Sequence, residues 1–475
     1  MIFSSLEFLC VFLPVVFILY CIIPNRRARN AILIVASLLF YAYGEPVYVF
    51  LMLGSVVVNY LVARGINASK NHKKAILAVG VAANLGALGV FKYAGFIVEN
   101  LNRLTSADLP VPDLALPIGI SFFTFQALSY VIDVYRGEVK VQKNLAHVLL
   151  YISFFPQLIA GPIVKYKDIY EAIENRKQEA SQVADGFRRF IFGLGKKVLI
   201  ANTVGEVADA IFTADQGSIN IAVAWIAALA YMLQIYYDFS GYSDMAIGLG
   251  KMFGFQFKEN FLYPYGSSSI KEFWRRWHIS LSTWFKEYLY IPLGGNRKGK
   301  FRTCVNRIIV FFFTGLWHGA SWTFIIWGLW HGLFLLLEEY LAFFRKIPKF
   351  IRRIYTLLVV CLGFVVFRAD TLSQGMYMIR QMFTGTHFDA ASVSFTWQQL
   401  TPWFIFIFII AVIGAAPIRP LADRIRTSAA ISAAETSGKQ KILQGCLGVA
   451  SILVLCWCII RLSGNTYNPF IYFRF

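Results

Sequence analysis

The sequence predicts an all-α polytopic membrane protein. Three observations carry that reading: the composition, the length of the uncharged stretches, and the confinement of basic residues to the gaps between them. The chain has 475 residues, of which 57% are hydrophobic, 17% aromatic and only 15% charged. A soluble domain has roughly 25% charged and 45–50% apolar residues. Disordered chains lack this apolar content, so disorder is excluded. A disulfide scaffold is excluded too: the 7 Cys are an odd number, and Cys10, Cys361, Cys446, Cys456 and Cys458 fall in apolar runs. The formal net charge of +19 would suit nucleic acid in a soluble protein. Here the basic residues cluster in short gaps, as in Arg26, Arg27 and Arg29, or Lys70, Lys73 and Lys74, or Arg188, Arg189, Lys196 and Lys197. That is the pattern of cytoplasmic loops facing anionic lipid, so the expected partner is the bilayer, with no nucleic acid.

Stretches free of Asp, Glu, Lys and Arg give the elements in order: Leu9–Ile23, Val47–Val62, Ala75–Val90, Leu114–Ile132, Asn144–Val164, Ile219–Tyr237, Ile308–Leu337, Ile354–Phe367, Trp403–Ile418 and Ile442–Ile460. A hydrocarbon core of ~30 Å needs about 20 helical residues. Leu9–Ile23 is read as a first span rather than a cleavable signal, because acidic Glu7 precedes it and no small-residue cleavage site follows. The arginines after it place the N-terminus outside. Ala31–Ala63 lies between basic loops and is broken at Gly44-Glu45-Pro46, which predicts a helical hairpin with its tip outside. Pro156 and Gly161-Pro162 predict that Asn144–Val164 is broken or re-entrant. Ile308–Leu337 has 30 uncharged residues with Gly315, Gly319 and Gly328, too long for one upright helix, and is expected as two segments or one steep, broken one. Asn260–Arg302 interleaves Phe273, Trp274, Trp277, Trp284, Tyr288 and Tyr290 with Lys271, Arg275, Arg276, Lys286, Arg297 and Lys298, the pattern of a helix at an interface or lining a polar cavity. Asp423–Lys441 reads as a polar basic linker. The whole, residues 1–475, is expected to form one integral-membrane domain with about eleven crossings and both termini outside.

Among the 6 His, His72 and His387 lie in polar sequence and read as surface residues, and His147 opens an apolar run, where a hydrogen-bonded structural role is expected. His278, His318 and His331 fall in Trp- and Gly-rich membrane sequence. An ionisable group at membrane depth is costly, so function is the starting hypothesis, with a packed, carbonyl-bonded imidazole as the alternative. No metal site is expected: His318 and His331 stand 13 residues apart without a nearby carboxylate or Cys to complete a chelate. No nucleophile elbow, P-loop or dinucleotide fingerprint is present. What remains is a neutral His acting as general base on a hydroxyl. Asp238 and Asp244 end a long apolar run and suit either a proton relay or structural pairing with nearby basic residues.

Four blocks carry a resemblance. The first runs from Asn260-Phe261 through Pro264-Tyr265 and Phe273-Trp274-Arg275-Arg276-Trp277-His278-Ile279-Ser280-Leu281 to Tyr290-Ile291-Pro292-Leu293-Gly294-Gly295. The others are Gly315-Leu316-Trp317-His318-Gly319, Phe154-Phe155-Pro156-Gln157-Leu158-Ile159-Ala160-Gly161-Pro162, and Tyr237-Asp238-Phe239-Ser240-Gly241-Tyr242-Ser243-Asp244, with the ending Phe470-Ile471-Tyr472-Phe473 agreeing. Nearly end to end, the chain resembles the membrane-bound O-acyltransferase family, in particular its bacterial branch for alginate O-acetylation. The resemblance implies a ring of tilted helices around a central funnel. It puts His318 at the catalytic position, His278 at the second characteristic polar position, and leaves His331 structural or cavity-lining. It implies a bacterial inner-membrane O-acetyltransferase with no bound cofactor. Acetyl would move from a cytosolic thioester, acetyl-CoA, to a hydroxyl of an extracytoplasmic polysaccharide, directly or through a separate extracytoplasmic acetyltransferase partner. Arg275 and Arg276 would then attract the CoA phosphates, or alternatively serve as cytoplasmic anchors in ion pairs. Three other readings stand beside it: D-alanyl transfer from a carrier-protein thioester to teichoic acid, a secondary transporter or flippase, and a non-catalytic scaffold.

Overall fold

The computed structural model describes residues 1–159, 161–341, 343–416, 436–464 and 467–471, and among these it is helical with no strand. The first helix, α1 (Phe8–Ile22), opens with a π-helical turn. α2 (Arg26–Ala42) begins at Asn25, whose side chain accepts from the Arg27 amide, and α3 (Tyr48–Ala68) returns across the Gly44-Glu45-Pro46 break. The predicted hairpin is therefore present. α4 (Lys73–Thr105) is interrupted by π-helical Gly89–Tyr93. α5 (Ile120–Arg136) follows, buried on nearly every face.

The predicted break in Asn144–Val164 is also present. α6 (Leu145–Ser153) stops at Phe154, and a single turn, Phe155–Leu158, continues wholly buried. Its freed Phe155 amide donates to Ser37 Oγ of α2 at 3.0 Å, so protein rather than lipid satisfies the broken backbone.

After α7 (Tyr166–Asn175), α8 (Ala180–Gly195) and α9 (Asn202–Phe212) are joined by π-helical Lys196–Ala201. They pack along α10 (Ile221–Met252), 32 residues long and the central wall of the molecule. The crossing is reciprocal between glycines. A Cβ on Gly193 would stand 2.6 Å from Gly241 O and one on Gly241 2.8 Å from Gly193 O. Gly186 and Gly248 repeat the pattern at 2.7 and 2.6 Å. Only hydrogen at these four positions allows the backbones so close.

The Asn260–Arg302 segment folds inward rather than lying on a surface. It forms α11 (Ile270–Arg276), α12 (Ile279–Phe285) and a π-helical turn, Lys286–Tyr290. Phe273, Trp274, Trp277, Trp284 and Tyr288 are all buried. The 30 uncharged residues divide as expected, into α13 (Gly299–His318) and α14 (Trp322–Tyr340). They cross where Gly328 faces Gly315, with a Cβ on Gly328 only 3.1 Å from Gly315 Cα. Then come α15 (Lys349–Arg368), α16 (Leu372–Thr384), α17 (Ala390–Gln399), α18 (Pro402–Ala415) and α19 (Thr436–Gly464).

Among the described residues, 5 helices are long and apolar enough to cross a membrane, or 6 if the bent pair α17–α18 is one span. α13 and α14 have the length, at 20 and 19 residues, but carry Arg302, Arg307, His331, Glu338 and Glu339, of which Arg307 and Glu339 pair at 2.7 Å. Asn468 Nδ2 donates to Ser4 O at 2.8 Å, so the segment after the last helix packs on the residues that precede the first. Finally, the linker expected to reach Lys441 gives way to helix at Thr436; its 423–435 part, like Tyr472-Phe473 and Ala160, lies outside the described residues.

Candidate active site

His318 is the last residue of α13. Gly319 follows in an extended conformation, and Ser321 caps α14, its hydroxyl accepting from the Thr323 amide at 3.3 Å. The chain thus reverses at the imidazole. The ring sits edge-on among Trp317, Trp327 and Phe367, with centroids 5.0, 5.0 and 5.1 Å away. The residue is buried, with 6% exposure against none for His331.

The end of α13 is held from outside. The α4 ammonium Lys92 Nζ donates to Trp317 O at 2.6 Å, His318 O at 3.2 Å and Ser121 Oγ at 3.2 Å. Tyr93 OH donates to Leu316 O at 2.8 Å. The last carbonyls of a helix lack intrahelical partners and carry its negative dipole end, so a cation with spare donors suits them. Both side chains leave the π-helical stretch of α4.

His278 joins α11 to α12 in the left-handed conformation, with φ 43°. A non-glycine residue there is uncommon and persists only where its surroundings hold it. Asn260 does so: Asn260 O accepts from the Ile279 amide at 3.0 Å, and its Oδ1 lies 3.3 Å from His278 Nδ1. The His278 ring contacts Phe239 of α10 at 4.6 Å and Trp317 at 5.8 Å between centroids. The two histidines therefore share one indole, Trp317. His278 Nε2 is buried with no hydrogen-bond partner in the protein.

The remaining predicted residues lie elsewhere. His331 stacks on Phe273 at 6.1 Å, within an aromatic cage completed by Trp274 and Trp327, both at 5.2 Å. It packs as a structural residue. Arg275 is exposed on α11, and Arg276 pairs with Glu272 at 2.7 Å one turn back. Neither lines the cavity on the inner side of α11. That cavity, of about 260 Å³, is bounded by Trp274, Phe311 and Thr314, with Lys271, Lys286 and Arg307 among its lining residues. Asp238 and Asp244 take the structural alternative: Asp238 pairs with Lys197 at 2.7 Å, and Asp244 with Arg189 at 2.8 Å and Lys196 at 2.6 Å. Among the described residues no group of three or more His, Cys, Asp and Glu is placed to hold a metal. Two contributors escaped sequence reasoning. Lys92 had a legible signal, a lone lysine inside Gly89–Val98. Asn260 had none beyond its place in a motif.

A chain with several helices apolar enough to cross a bilayer, and with two buried imidazoles meeting at one indole, defines a multi-pass membrane protein with a buried polar site. Comparison with known proteins narrows the class. The profile of the membrane-bound O-acyltransferase family matches residues 135–379. The probable alginate O-acetylase of Pseudomonas putida is 40% identical across the full length of both chains. The peptidoglycan O-acetyltransferase of Helicobacter pylori is 38% identical over 80% of each. A teichoic acid D-alanyltransferase of Streptococcus thermophilus is 30% identical over 48% of this chain and 58% of its own. The chain belongs to the membrane-bound O-acyltransferase family, and it is an O-acyltransferase.

Proposed function

We propose that this enzyme transfers acetyl from a cytosolic thioester, acetyl-CoA, to a hydroxyl, for O-acetylation of an extracytoplasmic polysaccharide at the bacterial inner membrane. The observation that supports the site assignment is the convergence of His318 and His278 on Trp317 in a buried aromatic cluster. His318 takes the hydroxyl proton while the oxygen attacks the thioester carbonyl. The tetrahedral oxyanion then collapses, the C–S bond breaks, and the proton passes from His318 to the departing thiolate. His278 orients the acceptor. Since only neutral imidazole accepts a proton, activity should fall as the pH becomes acidic.

The cavity inside α11 supports a route for the donor. Its Lys271, Lys286 and Arg307 suit phosphate groups, and its Trp274 and Phe311 walls suit an apolar arm. Arg307 also pairs with Glu339 at 2.7 Å. We assign the donor's phosphates to these residues rather than to Arg275 and Arg276. Whether acetyl passes to the polymer directly or through a separate extracytoplasmic acetyltransferase partner is an experimental choice between two acceptors. The full-length similarity to O-acetyltransferases favours acetyl over D-alanyl transfer.

Inverted membrane vesicles supplied with radiolabelled acetyl-CoA on the cytosolic face test this. Label should reach polymer or partner inside the vesicle, and carrier-bound D-alanine should not replace it. Label that stays outside, or D-alanyl transfer alone, would overturn the reading.

A further inference from the structure

Resting on the role just given to His278, we propose that Asn260 is a positioning residue that fixes His278 as the Nδ1–H tautomer and so leaves the Nε2 lone pair open to the acceptor. The hydrogen accounting is closed. Asn260 Oδ1 lies 3.1 Å from the Ser280 amide, a group that can only donate, so this atom is the amide oxygen and not the nitrogen. Asn260 Nδ2 accordingly donates to Ser243 Oγ at 3.1 Å, on α10. Ser280 Oγ donates its one hydrogen to Asn260 Oδ1 at 2.9 Å and accepts from the Ile163 amide at 3.0 Å. His278 Nδ1 thus faces two oxygens, Asn260 Oδ1 at 3.3 Å and Ser280 Oγ at 3.4 Å, and the hydroxyl proton is already committed. We therefore place the hydrogen on Nδ1. A neutral imidazole then has its lone pair on Nε2, the atom buried without a protein partner.

The arrangement also explains the left-handed backbone. The Ile279 amide donates to Asn260 O and the Ser280 amide to Asn260 Oδ1, so one asparagine captures two successive amides beyond His278. A second hydroxyl of a sugar, beside the one His318 deprotonates, is a donor of the kind Nε2 lacks. The titratable group facing His278 across Trp317 is His318; α10 meets the His278 ring with Phe239. Behind Asn260 and Ser243 opens a polar cavity of about 480 Å³ whose charged lining residues are Arg189, Lys196, Asp244 and Glu259.

The test uses the full-length enzyme in detergent or nanodiscs. In ¹⁵N-histidine-labelled protein, the signal lost in His278→Gln should report Nδ1–H at neutral pH; an Nε2–H signal overturns the proposal. In acetyl transfer, Asn260→Ala should lower kcat/KM for the acceptor by about 10²-fold without changing KM for acetyl-CoA. Asn260→Asp, which accepts the same three bonds, should recover most of the rate; equal loss in both variants at equal Tm overturns it. His278→Ala separates the two levels. If that variant is fully active, the role of His278 itself fails. If it is inactive while Asn260→Ala is fully active, only the assignment to Asn260 fails.

Discussion

His318 was legible in the sequence because an imidazole inside a long uncharged, Trp- and Gly-rich run has no cheap structural excuse. His278 and His331 gave the same signal, and the structure separates them by partners: His278 meets polar groups and Trp317, whereas His331 meets only a cage of rings. Lys92 stands out in the sequence as a lone charge in an apolar stretch, but its partner does not: it lies 225 residues from the Trp317 carbonyl it holds, and no local pattern reports such a contact. It staples the backbone that carries His318, the base of the proposed reaction. Lys92→Met should therefore lower acetyl transfer about tenfold or more, because a small displacement of a catalytic group is costly. Lys92→Arg keeps a cation but not its reach and should fall between, measured as initial rates at matched protein.

At the scale of helices, the sequence marked breaks well and charged helices badly. Pro and Gly located the hairpin tip, the buried turn after α6 and the crossing of α13 with α14. The search for uncharged runs passed over α8, because Arg189 and Lys196 look like loop residues until Asp244 is placed between them. The glycine crossing of α8 with α10 was equally hidden, since Gly193 and Gly241 are far apart in the chain. Gly193→Leu should lower stability by about 1–3 kcal/mol or more, as overpacking does, read as a lower Tm in detergent. A surface glycine, Gly217, has open space at its Cβ and serves as the control. The re-entrant segment is anchored by Glu287, which bonds Lys165 at 2.8 Å and Lys167 at 3.4 Å. Burial opposes its charge, but the two ammoniums outweigh burial and hold the carboxyl below its usual range. Its contribution is thus present above the ordinary carboxylate pKa and fades as the pH falls through the lowered value. Glu287→Gln should cost Tm at pH 7, and that difference should shrink below about pH 4.5.

At the scale of the molecule, the C-terminal segment closes the structure onto its beginning. Lys197 and Asp238 form a buried pair on facing helices; Lys197 donates to Pro469 O and the Ile471 amide donates to Asp238 Oδ2 at 2.8 Å. Tyr467 OH reaches Asp209 at 2.6 Å, and Asn468 reaches Ser4. Asp238→Asn leaves a buried ammonium without its counter-charge, a change that costs about 3–5 kcal/mol, and should give a correspondingly large fall in Tm. The sequence showed the class of architecture and the family likeness, but not this closure, because the residues that meet are far apart in the chain and no local run reports such contacts. The central claim rests on one imidazole, that of His318. The direct measurement is acetyl transfer by His318→Ala, with Tm recorded on the same sample. A rate reduced about 10³-fold or more at unchanged Tm is what the account predicts; a variant that folds equally well and still transfers acetyl at the original rate would contradict it.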